Sequence, residues 1–359
     1  MSLNKGFHRL TIAEVRRETP DSISVLFALP DDLRDLFAYK AGQHLTLRTE
    51  IAGQDVRRTY SLCTPPGRGE LRIAIKQMPG GVFSGWANTE LQSGATVEVL
   101  PPMGRFVVPQ AAGGRSFVAL AGGSGITPII SILAHTLEND SASRFTLLYG
   151  NRNTPSIMFL EQLAGLKDRF LDRFALYHFL EDEAEDIELF NGRLDREKCD
   201  EVFSHLIEVN AVDTFFICGP GPMMDTAEAS LRARGVPADR ILVERFSTSL
   251  PSSEQVARGE VLQSKAAGAE LQVVLDGRRT RLQFDPAKGN ILESVQAAGL
   301  HAPYACRGGV CTTCRAKVLE GRAEMLKNYG LTPDEVAQGY VLTCQAVPES
   351  DRVVLSYDE

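Results

Sequence analysis

No stretch of 18 or more apolar residues occurs in this 359-residue chain, so no membrane-spanning helix is expected. The richest run, residues 117–134, is broken by Gly122, Gly123, Ser124, Gly125 and Pro128. The first residues, Met1-Ser-Leu-Asn-Lys-Gly-Phe-His8, lack the apolar core of a secretory signal, which points to the cytoplasm. Positive charge is not in excess. Lys and Arg number 38 against 46 Asp and Glu, a net charge of −8, which argues against a nucleic-acid partner. There is no Glu-x-x-His sequence and no histidine-rich helix, so the chain lacks the ligands of an oxygen-activating di-iron bundle. What remains is an ordinary globular composition, 43% hydrophobic and 23% charged, with length for two or three domains.

Seven cysteines are present, and four of them form the most specific pattern in the chain. Cys306-Arg-Gly-Gly-Val-Cys311-Thr-Thr-Cys314 leaves four residues between the first pair and two between the second, and Cys344 stands alone further on. This is the spacing of a plant-type [2Fe–2S] site. Gly308 and Gly309 allow the loop to curl and turn N–H groups toward sulfur, and Thr312 and Thr313 are small. A structural zinc site would show paired short hooks. A disulfide framework suits small secreted domains better than a large chain without a leader. Cys63 and Cys199 read as packed thiols.

These residues carry a resemblance. Residues 269–359 resemble a plant-type ferredoxin domain, and the preceding part resembles a ferredoxin-NADP reductase module. The whole chain is similar to the oxygenase reductases, including Tyr149-Gly-Asn-Arg-Asn153, Ser156-Ile-Met-Phe159 and Asn191-Gly-Arg-Leu-Asp195.

Residues 1–110 alternate short strand-like runs with glycine turns, which predicts a small antiparallel β-barrel. Arg58-Thr59-Tyr60-Ser61 resembles the family's flavin-binding motif. Arginine offers a planar donor fork for phosphate, tyrosine can lie against the isoalloxazine ring, and Ser61 can hydrogen-bond near flavin N5. Ile75-Lys76 and Gly81-Val82-Phe83-Ser84 follow, with glycine for close approach to a pyrophosphate and Ser84 at an expected helix start. The resemblance implies FAD rather than FMN.

Residues 111–246 alternate strand and helix, which predicts an α/β domain with a covered parallel sheet. The turn Gly122-Gly123-Ser-Gly125-Ile-Thr127-Pro128 resembles the family's dinucleotide turn, where free N–H groups and the helix dipole meet a pyrophosphate. Cys218-Gly219-Pro220-Gly-Pro-Met223 implies, by the same resemblance, the nicotinamide border, with Cys218 near the hydride-donating carbon; a packed thiol is the alternative. Arg152, placed like the residue that reads the adenosine ribose, favours NADPH over NADH. Arg193 is a second candidate, and both also read as solvated charges. Glu244 and Phe246 in Val243-Glu244-Arg-Phe246 match family positions that approach the flavin face. Phe246 also reads as a core residue.

Residues 247–268, rich in Ser, Gln, Ala and Gly, are expected to be a flexible tether. Beyond them, an Asp276-Gly277 hairpin, a helix ending at Gly299 and the cysteine loop fit a β-grasp ferredoxin domain.

The three parts imply one electron path. NADPH, with NADH as an alternative, gives a hydride to FAD, and the [2Fe–2S] cluster passes single electrons on. A plant-type cluster at about −400 mV suits that task. The implied partner is the oxygenase component of a multicomponent monooxygenase, expected to be di-iron, with a Rieske or steroid hydroxylase as the alternative. A non-catalytic redox sensor fits two nucleotide sites less well.

Overall fold

Apolar alternation and two-residue turns build the first sheet. The computed structural model describes residues 6–109, 113–246 and 253–359. Six antiparallel strands, β1 (His8–Thr19), β2 (Ser22–Ala28), β3 (His44–Ile51), β4 (Gln54–Ser61), β5 (Leu71–Lys76) and β6 (Thr96–Val99), lie in the order β4-β3-β6-β1-β2-β5. Tight turns set the register at Thr19↔Ser22 and Ile51↔Gln54. A bridge between Leu62, just past β4, and Ile73 of β5 joins the two ends of that order, so the sheet curls into the expected barrel. Helix α1 (Val82–Glu90) buries Phe83 and Ala87 in a core with Leu45, Leu47 and Ile75.

Five parallel strands follow: β7 (Ser116–Gly122), β8 (Arg144–Asn151), β9 (Phe174–Leu180), β10 (Thr214–Cys218) and β11 (Ile241–Glu244), in the order β11-β10-β7-β8-β9. Helices α2 (Ile126–Asn139) and α3 (Leu160–Arg169) pack on one face, and α4 (Arg196–His205) and α5 (Gly221–Ala233) on the other. Every residue of β10 is therefore buried, as befits a parallel strand covered on both faces. The helix expected over 195–209 stops at His205, and Val209–Ala211 forms a separate 3-10 turn.

Barrel and parallel sheet share a core. Ala41, Cys63, Ala74 and Phe106 belong to the same buried cluster as Phe117, Phe145 and Phe216. Phe106 meets Phe216 edge-on at 5.4 Å, and the Ser131 hydroxyl donates to the Thr64 carbonyl at 2.6 Å. Together they form one compact unit, Met1–Glu244, while Arg245–Glu359 forms a second.

The second unit opens with a helix. Residues 247–268 are not a uniform tether: α6 (Ser253–Lys265) occupies much of the stretch, and 247–252 lie outside the described residues. Leu262 and Ala266, four residues apart, pack on the ferredoxin core, one helical turn bringing them to the same face. After α6 come β12 (Glu270–Leu275), β13 (Arg278–Gln283), α7 (Ile291–Ala297), β14 (Arg315–Glu320), β15 (Ala323–Met325), α8 (Pro333–Ala337), β16 (Tyr340–Leu342), β17 (Ala346–Pro348) and β18 (Arg352–Ser356). The main sheet runs β13-β12-β18-β14-β16, with β15 and β17 paired apart. Asp276 and Gly277 both take positive φ, the turn their dipeptide announces. Asn290 caps α7 by accepting from the Glu293 N–H at 3.0 Å.

Phe216 is fully buried where the two cores meet. Phe216→Ala is expected to destabilise the first unit by about 3–5 kcal/mol, read by chemical denaturation followed by circular dichroism.

Candidate functional site

Three places in the chain have the build of a cofactor site. The first is the β3–β4 ladder. His44 lies opposite Ser61 and Thr46 opposite Thr59, so their side chains share one face of the ladder, while Tyr60 and Arg58 share the other with Leu45 and Leu47. Among the described residues, His44 Nε2, Thr46 Oγ1 and Ser61 Oγ are buried without a hydrogen-bond partner. Buried polar atoms are nearly always paired, so three such atoms on one ladder fit a polar group bound against it, as a flavin ring would be. Tyr60 lies 5.5 Å from Phe83, the two rings tilted by 39°, and burial pushes its phenol up. Arg58 is exposed, and one of its guanidinium nitrogens donates to the neighbouring Arg57 carbonyl at 2.7 Å, which leaves other donors of its fork for an anion.

The glycine turn before α1 completes this part. The helix starts at Val82 with Gly81 as its cap, two residues earlier than expected, and no side chain caps it. Ser84 is not the capping residue. Its hydroxyl accepts from the Met78 N–H at 3.1 Å and donates to the Gly81 carbonyl at 3.4 Å, so it folds the turn. A side chain on Gly81 would begin 2.4 Å from that hydroxyl. Ile75 is wholly buried, a core residue. Lys76 lies 3.7 Å from Asp21, and a side chain on Gly123 would begin 3.9 Å from its ammonium.

The second place joins the turns after β7 and β10. A side chain on Gly125 would begin 2.0 Å from the Cys218 carbonyl oxygen, and one on Gly219 only 2.9 Å from Gly122 N. Met223 and Pro220 press on Gly122 from the α5 side. These contacts demand glycine. The first turn of α2 has no side-chain cap, so its N–H groups and dipole face the opening. Thr127 is buried, its hydroxyl donating to the Ser124 carbonyl at 3.0 Å, and Pro128 sits beside it in the same first turn.

Cys218 is completely buried, and burial, with Glu244 beside it, pushes its thiol well up. The two are register partners across β10 and β11. Glu244 also lies 3.6 Å from His44 Nδ1. Cys218, Glu244, His44 and Ser61 thus form a continuous path from the dinucleotide turn to the flavin ladder. His44 was not among the expected site residues. Its signal is a polar residue at an inward position of an apolar strand, His44-Leu-Thr-Leu. Phe246 is among the exposed large apolar residues and falls in the second unit. Arg152 and Arg193 each meet a carboxylate, Arg152 with Asp21 at 3.2 Å and Arg193 with Glu181 at 2.7 Å.

The third place is the cysteine loop. None of the seven cysteines forms a disulfide. Among the described residues no three Cys, His, Asp or Glu side chains gather to hold a single ion. Instead the Cys306 and Cys311 thiols pair, as do those of Cys314 and Cys344. Two sulfur pairs fit a dinuclear cluster, with two thiolates for each of two irons. The N–H groups of Gly308 and Cys311 point at Cys306 Sγ at 3.3 and 3.4 Å. The Cys311 thiol, with these N–H groups and against the cost of burial, pulls the Cys306 thiol down to about 5. Cys311 and Cys314 are pushed up, each by its partner sulfur and then by burial. Of the two glycines only Gly309 takes positive φ, at 76°; Arg307 and Thr312 do so without being glycine, at 53° and 56°.

The comparisons with known proteins agree with these three places. Residues 9–108 match the oxidoreductase FAD-binding domain, 119–229 the oxidoreductase NAD-binding domain and 273–349 the 2Fe-2S iron-sulfur cluster binding domain. The chain is therefore an oxidoreductase that uses FAD, a pyridine nucleotide and a [2Fe–2S] cluster. It belongs to the family of oxygenase reductase components that includes one of the subunits of the 1,2-phenylacetyl-CoA epoxidase of Escherichia coli, 42% identical over 98% of both chains. The ferredoxin reductase component of 3-ketosteroid-9-alpha-monooxygenase from Rhodococcus rhodochrous is 35% identical over 97% of this chain and 96% of its own. Phthalate dioxygenase reductase shares the architecture at a TM-score of 0.60, with 25% identity over 98% of each chain. Such relatives make an oxygenase the class of partner. No helix among the described residues is long and apolar enough to cross a membrane.

Cys311→Ala is expected to abolish the cluster signal in electron paramagnetic resonance while flavin reduction by NADPH persists; an unchanged signal removes Cys311 from the ligand set. Arg58→Ala is expected to release FAD on dilution, followed by flavin absorbance after gel filtration, and full retention counts against a phosphate contact.

Proposed function

We propose that the chain delivers electrons from NADPH to the oxygenase of a di-iron phenylacetyl-CoA epoxidase in the cytoplasm. The observation that carries this is the end-to-end likeness to the Escherichia coli epoxidase component. When bound, the flavin takes electrons as a hydride and returns them singly, and the cluster carries single electrons onward.

In this reading the protein holds, aligns and shields. Arg58 and the Gly81–Ser84 turn, with Val82 and Phe83 behind it, hold the FAD phosphates. Tyr60 lies against the ring, Thr59 supports the ladder, and the unpartnered Ser61 hydroxyl meets flavin N5. Lys76 stands toward the dinucleotide turn, where Gly123, Gly125, Thr127 and Pro128 receive the pyrophosphate of NADPH. Gly219, Pro220 and Met223 border the nicotinamide, and Cys218, held as a neutral thiol by burial, packs beside its reacting carbon. Glu244 with His44, 3.6 Å apart, fixes the strand ends beside the ring. Arg152 and Arg193 face the adenosine end. Cys306, Cys311, Cys314 and Cys344 hold the cluster.

The likeness to the ketosteroid monooxygenase component favours one other reading, service to a Rieske or steroid hydroxylase. The purified oxygenase of the epoxidase, combined with this protein, NADPH and phenylacetyl-CoA, should form oxidised product, with ferricyanide reduction as control. Ferricyanide reduction without product moves the partner to another oxygenase. Failure of both in protein loaded with FAD and cluster favours a sensor.

A further inference from the structure

We propose that Asp21 is a second specificity residue for the pyridine nucleotide, one that opposes the 2′-phosphate of NADPH. The proposal rests on the reading of Arg152 as the residue facing the adenosine ribose.

Asp21 belongs to the barrel, in the two-residue turn between β1 and β2. It is fixed from its own side: the Thr19 hydroxyl donates to its Oδ1 at 2.8 Å, and the Gln77 N–H donates to its carbonyl at 2.7 Å. Its Oδ2 accepts from Arg152 at 3.2 Å and lies 3.7 Å from the Lys76 ammonium. Lys76 in turn stands close to Gly123, in the dinucleotide turn. The carboxylate therefore sits between the pyrophosphate end and the arginine at the adenosine end.

That position acts differently on the two nucleotides. Asp21 takes one donor of the exposed Arg152 fork, so a 2′-phosphate on the remaining donors stands near a carboxylate that its own turn holds in place. Like charges at such range repel. A ribose 2′-hydroxyl is a donor and suits a carboxylate acceptor, the pairing by which acidic residues favour NADH. The other arginine on this side does not compensate, because Arg193 is engaged by Glu181. Glu183 binds the Thr154 N–H at 3.0 Å and also its hydroxyl, which adds negative charge beside the same loop. Arg152 thus draws the phosphate and Asp21 resists it, so the preference between NADPH and NADH stays modest.

The test compares wild type, Asp21→Asn and Arg152→Ala as holoproteins with FAD content confirmed by absorbance. It measures kcat/KM for NADPH and NADH with ferricyanide as acceptor, and calorimetric binding of 2′,5′-ADP and 5′-AMP. Asp21→Asn should raise the NADPH-to-NADH ratio, and the preference for 2′,5′-ADP over 5′-AMP, about five-fold. The gain should shrink at high salt as the charge is screened. Unchanged ratios in Asp21→Asn, with Arg152→Ala still weakening 2′,5′-ADP selectively, overturn the role of Asp21 alone. Equal weakening of both adenosine phosphates by Arg152→Ala removes the reading of Arg152 and this proposal with it.

Discussion

Two backbone turns meet with almost nothing between them, and the first unit depends on that contact. A Cβ on Gly125 would stand 2.0 Å from the Cys218 carbonyl oxygen. The turns leaving β7 and β10 can therefore lie side by side only if both are glycine-rich. Their closeness aims the N-terminus of α2 into the opening and, in the same step, places Cys218 against Glu244. Glu244 reaches His44, and His44 is the register partner of Ser61. One steric constraint in the parallel sheet thus extends through four side chains to the barrel strand that carries the flavin motif.

The cysteine loop shows a different balance. Arg307 and Thr312 take left-handed conformations that cost of order 1 kcal/mol each. The loop keeps them because its backbone is tied from outside. The Tyr329 N–H donates to the Gly309 carbonyl at 3.0 Å, and the Gln345 side chain donates to the Arg307 carbonyl at 2.9 Å. Gln345 follows Cys344 directly, so the distant ligand and the loop are registered by adjacent residues. Protein contacts thus hold the loop of Cys306, Cys311 and Cys314 in register with Cys344.

Much of this was legible in the chain, and the reasons are physical. Cysteine spacing encodes a loop because covalent reach limits how four thiolates converge. The glycine turns could be read because no other residue tolerates such approach, and Asp276-Gly277 because its dipeptide suits only a few turns. The missed features depend on partners distant in sequence. His44 and Glu244 are 200 residues apart, and Asp21 meets Arg152 across 131 residues; neither pairing leaves a local signal. Helix α6 was hidden by its polar composition; Leu262 packs on the core, with Ala266 just past the helix end. Ser84 misled because serine near a helix start usually caps it, whereas here it folds the turn that precedes the cap.

The shared core of barrel and parallel sheet has a consequence in time. Phe106, Phe117, Phe145 and Phe216 belong to one cluster, and a close-packed interior does not part without cost. Hinge closure of domains takes microseconds to milliseconds, whereas side-chain rotations take picoseconds to nanoseconds. With the two halves fused through that core, adjustment to an arriving nucleotide falls to side chains and turns, on the faster of these timescales.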